Sequence, residues 1–454
     1  MKRIIATALA LALCCGLLAT AAFAEGENGG AAPASSVEEQ TAGERETAAS
    51  SGEAAAQEPG GETGEADEDA GEPDTPDVPE PDAVGTMSFA NLETRIRENN
   101  ITIQALNESI ASVDAIDFDK MEDNLRDALN GIAELQFQLI TMPKDSLDAV
   151  LNSNVTYNSL QSSYDSLKDT FDDLRDGKLQ RTYAGVVRQL ENAEDQLVNG
   201  AETLYVTVLE LQNTRENLQR TLAATNRTVQ ELELRYTMGQ ISALQLQQAK
   251  AGRTTLTSGI ATLEMNIENC IAQLQQMAGA DITGTMTLSE VPEVTAEQLD
   301  AMDLEKDLET AKEKSYTLYD AKLTLDDAKD TYDDACDTYS VNNYNRKSAE
   351  HTWKAAQYTY QAAVQAYELK FRTAFAAVAD YRQILAARET ALALQQDTCR
   401  SVEMKYQQGA VSKNTYLSAQ DDLASAENDV VTAKHDLFTA YRAYRWAMDS
   451  GLLN

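Results

Sequence analysis

Tyr236-Thr237-Met238-Gly239-Gln240-Ile241-Ser242 recurs in the second half of the chain as Tyr406-Gln407-Gln408-Gly409-Ala410-Val411-Ser412. Each copy reads as a reversal between two helices. Gly239 and Gly409 can enter the left-handed conformation that ends a helix without a Cβ penalty. Ser242 and Ser412 offer a side-chain oxygen to cap the helix that follows. Ser242 with Gln245 fits a capping box, whereas the second copy has Thr415 in that place. Ile241 with Leu246, and Val411 with Tyr416, have the spacing of a hydrophobic staple.

The flanks repeat with the same offset. After the first turn, Leu256, Ile260, Leu263, Ile267, Cys270, Leu274 and Met277 step by alternating fours and threes. Ala426, Val430, Ala433, Leu437, Ala440, Tyr444 and Ala447 repeat that register after the second. This is the apolar seam of a coiled coil. Before the turns, Tyr183, Val186, Leu190, Ala193 and Leu197 match Trp353, Ala356, Tyr360, Ala363 and Tyr367. The unit is a long helix, a short turn and a return helix, used twice. An all-α fold of duplicated, long antiparallel helical hairpins follows.

A further repeat lies upstream, where Leu92-Glu93-Thr94 and Leu308-Glu309-Thr310 open similar segments at a wider offset than the turns. The first half therefore holds a surplus between its leading helix and Tyr183. It falls around 113–176, where Pro143 divides two helical patterns, and reads as an extra helical hairpin. Leading helices are expected over about 88–112 and 299–338. Long helices are expected over about 179–238 and 347–408, and return helices over about 242–278 and 412–449. A leading and a return helix placed end to end could pair along one whole long helix. The domain plan is a first helical repeat over 87–279, a connector over 280–297 with one short strand, and a second repeat over 298–454.

The N-terminal part is different material. Met1-Lys2-Arg3, an apolar run and Ala22-Phe23-Ala24 read as a secretory signal peptide over 1–24, with a retained anchor as the alternative. Residues 25–86 carry 18 acidic side chains and Arg45 as their one basic residue. So little apolar surface and so much like charge predict a disordered, extended linker. The whole chain of 454 residues has a net charge of −37. That balance excludes the basic footprint of a nucleic-acid-binding protein.

Chemistry-bearing patterns are missing. No HExxH, GxSxG, Walker or GxGxxG motif occurs, and the only histidines are His351 and His435, read as solvent-exposed or capping residues. Paired acids such as Asp326-Asp327 read as a solvated helix face. Cys270, Cys336 and Cys399 are an odd set without a CxxC spacing, and Cys270 and Cys399 sit on seam positions as small apolar residues. Neither an enzyme, a cofactor site nor a metal site is expected. The second half holds 13 of the 18 tyrosines, many on or beside the seam. They suit core or interprotomer packing, with an aromatic sugar-binding surface as the alternative.

The doubled turn, the Leu/Ala-rich return helix after each copy, the bridge from Leu274 through Gly279 to Pro292 and the opening at Ser88–Ile103 resemble the TolC-type outer-membrane efflux family. The resemblance covers Met87 to Asn454. It implies a homo-oligomer, a trimer in that family, whose hairpins form an α-helical tunnel. It also implies that Tyr236, Gly239, Ser242, Tyr406, Gly409 and Ser412 lie at the tip that docks on a membrane-fusion adaptor of an export system. The family places a barrel-forming β-hairpin between leading and long helix in each half. Here those places hold Ser340–Asn345 and the helical surplus, without the alternation over about 9–11 residues that barrel strands need. A TolC-like efflux component of the cell envelope, in the outer membrane only if barrel strands are present, is one reading. A cell-envelope coiled-coil scaffold or spacer that does not transport is the other.

Overall fold

The computed structural model describes residues 82–83, 85–143, 147–282 and 284–453. The expected signal segment 1–24 and the acidic segment as far as residue 81 lie outside them. The end of that segment belongs to the fold rather than to a linker. Asp82 accepts hydrogen bonds from the Ser88 backbone amide at 3.0 Å and from the Asn91 side chain at 2.9 Å. The described elements are β1 (Thr86–Met87), α1 (Phe89–Asn99), α2 (Ile101–Asp114), α3 (Phe118–Thr141), α4 (Leu147–Arg175), α5 (Lys178–Thr237), α6 (Ala243–Met277), β2 (Thr287–Leu288), α7 (Ala296–Asp300), α8 (Leu304–Lys314), α9 (Tyr316–Thr338), α10 (Tyr344–Gln407) and α11 (Lys413–Ser450).

This is the all-α, duplicated-hairpin fold that the periodicity implies. The long helices α5 and α10 have 60 and 64 residues. At 1.5 Å per residue each is ~90 Å long. Every seam position read in α6 and α11 is buried or half-buried, from Leu256 to Met277 and from Ala426 to Ala447. Within 113–176 the described residues form the helices α3 and α4, and 338–347 is the end of α9, a turn and the start of α10. Among the described residues the only strands are β1 and β2, each very short. They pair in parallel, with Thr86 opposite Thr287 and Met87 opposite Leu288. No described helix is long and apolar enough to cross a membrane.

The leading helices are not continuous, contrary to the expectation of single helices over 88–112 and 299–338. The first breaks at Asn100, whose side-chain oxygen accepts the amides of Thr102 (2.8 Å) and Ile103 (3.2 Å). The second breaks at Ser315, whose hydroxyl caps the Leu318 amide. A capping side chain offers the backbone an alternative to the helical bond, so a new helix starts where the old one ends. The breaks also correct the repeat register. α1 and α8 have 11 residues each, and their ends align at an offset one position shorter than that of the Leu-Glu-Thr triplets.

Each break receives the end of a return helix. The Asn100 side-chain amide donates to the Met277 carbonyl at 2.8 Å. Gly279, at φ 63°, lies so close to Asn99 that a Cβ there would sit 2.7 Å from the Asn99 carbonyl oxygen. Gly451, at φ 69°, stands against the Ser315 backbone in the second repeat, where a Cβ would overlap it. The leading and return helices thus meet end to end along the long helix.

A tyrosine from each long helix secures this region. The Tyr205 hydroxyl lies 2.9 Å from the Met87 carbonyl and 2.6 Å from that of Ser289, so it ties the β1–β2 pair to α5. The Tyr367 hydroxyl lies 3.1 Å from the carbonyls of both Ala311 and Gly451. Burial pushes its pKa up to about 12, so it remains a donor.

Two apolar cores lie at these joints. The first gathers Met87, Leu92, Ile96, Ile103, Tyr205 and Leu274 and takes in Phe438 and Trp446 from the second repeat. The second is built from Leu308, Ala311, Leu318, Phe371, Leu437 and Tyr444. Phe89 packs edge-on against Tyr205 (5.5 Å) and Phe438 (4.8 Å). Beside them Glu202 of α5 is buried. It accepts bonds from both Arg442 and Trp446 of α11, the latter at 2.8 Å. In the second core Asp307 accepts a hydrogen bond from the hydroxyl of buried Tyr444.

His435 is buried on α11, which corrects the expectation of an exposed or capping residue. The reason is that α11 packs against α5 on that face as well as against α10 along its seam. Burial lowers its pKa, against the opposing pull of Glu290 and Asp436.

Two outcomes follow for stability. Gly239→Ala and Gly409→Ala, with open space around the new Cβ, lose ~1–2 kcal/mol each to left-handed strain. Gly279→Ala and Gly451→Ala add ~1–3 kcal/mol of overpacking, so denaturant titration ranks the second pair as the more damaging. For His435, a folded-state pKa below the unfolded value means the folded chain binds the proton less well. Its contribution is intact above the ordinary ~6.5 and is lost as pH falls below it. The difference in melting temperature between the parent chain and His435→Leu should therefore move against the parent between pH 7 and pH 5.

Candidate functional site: the paired hairpin tips

The two copies of the turn form one end of the described helical body. At the first, the Gly239 amide donates to the Tyr236 carbonyl (2.9 Å) and the Gln240 amide to that of Arg235 (2.8 Å), with Gly239 at φ 72°. At the second, Gly409 donates to Tyr406 (2.9 Å) and Ala410 to Lys405 (2.8 Å), with Gly409 at φ 73°. This pair of bonds is the Schellman motif, and it satisfies carbonyls that a helix end otherwise leaves open.

The caps differ as the sequence suggests. Ser242 accepts from the Gln245 backbone amide, and the Gln245 side chain accepts from the Ser242 amide, a complete capping box. Ser412 accepts from the Thr415 amide at 3.1 Å, and the two hydroxyls lie 2.9 Å apart. Where the first turn has Tyr236 exposed, the second has Tyr406 stacked on Tyr416, rings 5.1 Å apart and nearly parallel.

The tips stand side by side because α11 packs against α5. Asn414, at the start of α11, donates to Glu231 near the end of α5 at 3.0 Å. Arg227 pairs with Asp421, and Arg220 donates to Asn428 at 3.0 Å. All six residues singled out from the sequence, Tyr236, Gly239, Ser242, Tyr406, Gly409 and Ser412, therefore share one end. Residue order does not reveal the contacts between the tips, since the partners are 183 to 208 positions apart. Nor does it single out the exposed apolar residues of the first tip, Leu234, Met238 and Leu244. They are off the seam of their helices, which is the signal that could have marked them.

Between α5 and α6, just behind the first tip, runs an open groove of about 700 Å³. Its walls are small side chains, among them Ala224, Thr228, Ala249, Gly252 and Thr255. Small residues let a third helix approach two others closely. Among the described residues no group of three His, Cys, Asp or Glu side chains could hold a metal ion.

No family model matches the chain, and no curated protein matches its sequence. Solved structures do match, 23 chains in all. One is a membrane protein from Pseudomonas aeruginosa, at 12% identity over 79% of this chain and 89% of that one, with a TM-score of 0.52. The CmeC outer membrane channel of Campylobacter jejuni matches at 12% identity over 63% of this chain and 68% of its own, with a TM-score of 0.48. The outer membrane protein VceC of Vibrio cholerae matches at 12% identity over 79% and 95%, with a TM-score of 0.47. The fold resembles that of the Pseudomonas aeruginosa membrane protein. At such identities the likeness is one of fold.

Removing the Ser242 cap should loosen the first tip selectively. Ser242→Ala costs ~1 kcal/mol, seen as faster amide exchange over 240–246 with no change at 410–416.

Proposed function

We propose that the chain is an export-channel component of the cell envelope, whose copies close into a ring of helices and whose tips dock on an adaptor of the export system. One observation carries the reading. Inside the chain, the repeats are joined by α11 lying on α5, through Asp421, Ala424, Asn428 and Thr432 against Asn213, Arg220 and Arg227. Shifted by the offset between the two turns, these positions are Ala251, Thr254, Ser258 and Thr262 on α6, and Gln383, Thr390 and Asp397 on α10. All seven are exposed. The protomer thus offers on one side the surface that matches its other side. Such a heterologous, head-to-tail contact generates a ring when the rotation closes.

The chemistry of the two open faces supports this. Tyr358, Leu369 and Leu394 of α10 are 72%, 69% and 69% exposed. Successive members are separated by ~3 and ~7 helical turns, which places them on one line along the helix. An apolar line of this kind on a strongly acidic chain suits burial against another protein. Opposite it, α6 has no charge between Arg253 and Glu264 and is rich in Thr, Ser, Gly and Ala there. Bulky side chains meeting small ones is favourable helix packing. A trimer is the assembly that the family resemblance suggests. At the tips, Leu234, Met238 and Leu244 with the groove behind them suit a helical partner bearing an apolar edge.

Sedimentation of the purified chain tests the ring. A single closed oligomer is expected at micromolar concentration. Leu394→Glu should convert it to monomers of unchanged helix content. A parent chain that stays monomeric would instead favour the spacer reading. For the tip, Gly239→Val with Gly409→Val should weaken adaptor binding tenfold or more while leaving the oligomer intact, and equal binding would remove the tip assignment.

A further inference from the structure

The hairpin α3–α4 has features that neither the tunnel nor the tips require. Its helices hold each other through one seam. Leu125, Leu129, Ile132, Gln136 and Leu139 of α3 face Tyr157, Leu160, Tyr164, Leu167 and Phe171 of α4, all buried or half-buried, and Gln136 bonds Gln161 at 3.0 Å. At its base Phe118 meets Tyr183 at 5.7 Å, and Gln180 donates to the Leu174 carbonyl at 3.0 Å. Beyond the base, α3 and α4 pack chiefly on each other.

Off the seam, the outer part of the hairpin is apolar. Phe137 and Ile140 on α3, and Leu151 and Val155 on α4, are all exposed, Phe137 to 66% and Val155 to 68%. Charge is distributed in the opposite sense. The stretches 117–127 and 165–176 hold seven charged side chains each, while the much longer stretch 128–164 holds only Glu134, Lys144, Asp145 and Asp148. The chain from Met87 onward carries 56 acidic and 34 basic residues. Copies of it repel one another wherever charged faces meet, and this outer stretch is where they can approach.

We propose that the hairpins of neighbouring copies pack flank to flank, α3 of one against α4 of the next, as a helical collar at the end of the ring opposite the tips. This rests on the ring reading for the ordering of copies. Two observations favour a second copy as the occupant. Both flanks are apolar, as a repeating contact requires, whereas a single docked partner needs one. A lipid bilayer fits less well, because the stretch from the end of α3 into the first turn of α4 carries Lys144, Asp145 and Asp148, charges that an inserted end would have to bury. The few exposed apolar side chains of the two flanks fall short of the ~800 Å² per partner of an independent interface, so the collar adds to the ring rather than creating it.

Two experiments on the full chain test this. Phe137→Glu with Val155→Glu changes only solvent-exposed positions of the protomer, so helix content should stay the same, while the dissociation constant of the oligomer should rise at least tenfold. Separately, a Phe137→Cys chain and a Val155→Cys chain with different tags, each with its native cysteines replaced by alanine, are mixed and oxidised. A disulfide joining the two tags is expected. Absence of that disulfide, together with an oligomer unweakened by the two glutamates, overturns the collar. Loss of assembly in Leu394→Glu alongside that result would leave the ring standing without it. Co-sedimentation with phosphatidylcholine vesicles that disappears in the glutamate variant would also overturn it, in favour of a lipid contact.

Discussion

Two helices meeting end to end against a third leave a gap in the apolar seam, and the structure depends on how that gap is closed. The leading helix breaks at a capping residue, Asn100 or Ser315, and the return helix ends on a left-handed glycine, Gly279 or Gly451, that fits against the break. A Cβ at either glycine would occupy space already filled by backbone. The close approach lets Asn100 bond the last turn of α6, and it brings an apolar core to each joint. Tyr205 and Tyr367 then fasten the backbone at each joint to the long helices. Without this joint a ~90 Å helix would have two partial partners and no common core.

The repeats have diverged where they meet each other. The first core recruits Phe438 and Trp446 from α11, and Glu202 accepts bonds from both Arg442 and Trp446 across the boundary. A buried carboxylate of this kind is costly unless fully partnered, so it is best understood as fixing which face of α11 meets α5 rather than as a source of stability. The second core has its own buried acid, Asp307, held by Tyr444, whose pKa rises well above the tyrosine range through burial and that hydrogen bond. Because α11 is held in this register, the two tips lie together although a whole repeat separates them in sequence.

The same register gives the functional proposal its content. Under that proposal, a chain that joins its halves through one surface, and presents the repeat-equivalent surfaces open at either side, would continue with further copies. The apolar line on α10 and the uncharged face of α6 are what such a continuation would bury. The hairpin α3–α4 extends the idea to the other end, with charge concentrated at its base and withdrawn from its outer part. Tips, ring and collar would then be three uses of one principle, helix pairs packed side by side.

Much of this is legible in residue order. A four-three apolar step identifies a helix and its buried face wherever one partner dominates, which is why the hairpins, their reversals at Gly239 and Gly409 and the Ser242 capping box can be read directly. The helical character of 113–176 is legible for the same reason. Short polar interruptions are not. Asn100 and Ser315 look like ordinary surface residues of a continuous helix, and only the arrival of a return helix makes a break there favourable. His435 looks solvated because its burial comes from α5, a helix of the other repeat. Sequence by itself determined the long and return helices and the turns between them, since these depend on neighbours within a few positions. Tertiary structure decided the joints, the pairing of the tips and which faces remain open, since those depend on contacts between segments that the chain order leaves far apart.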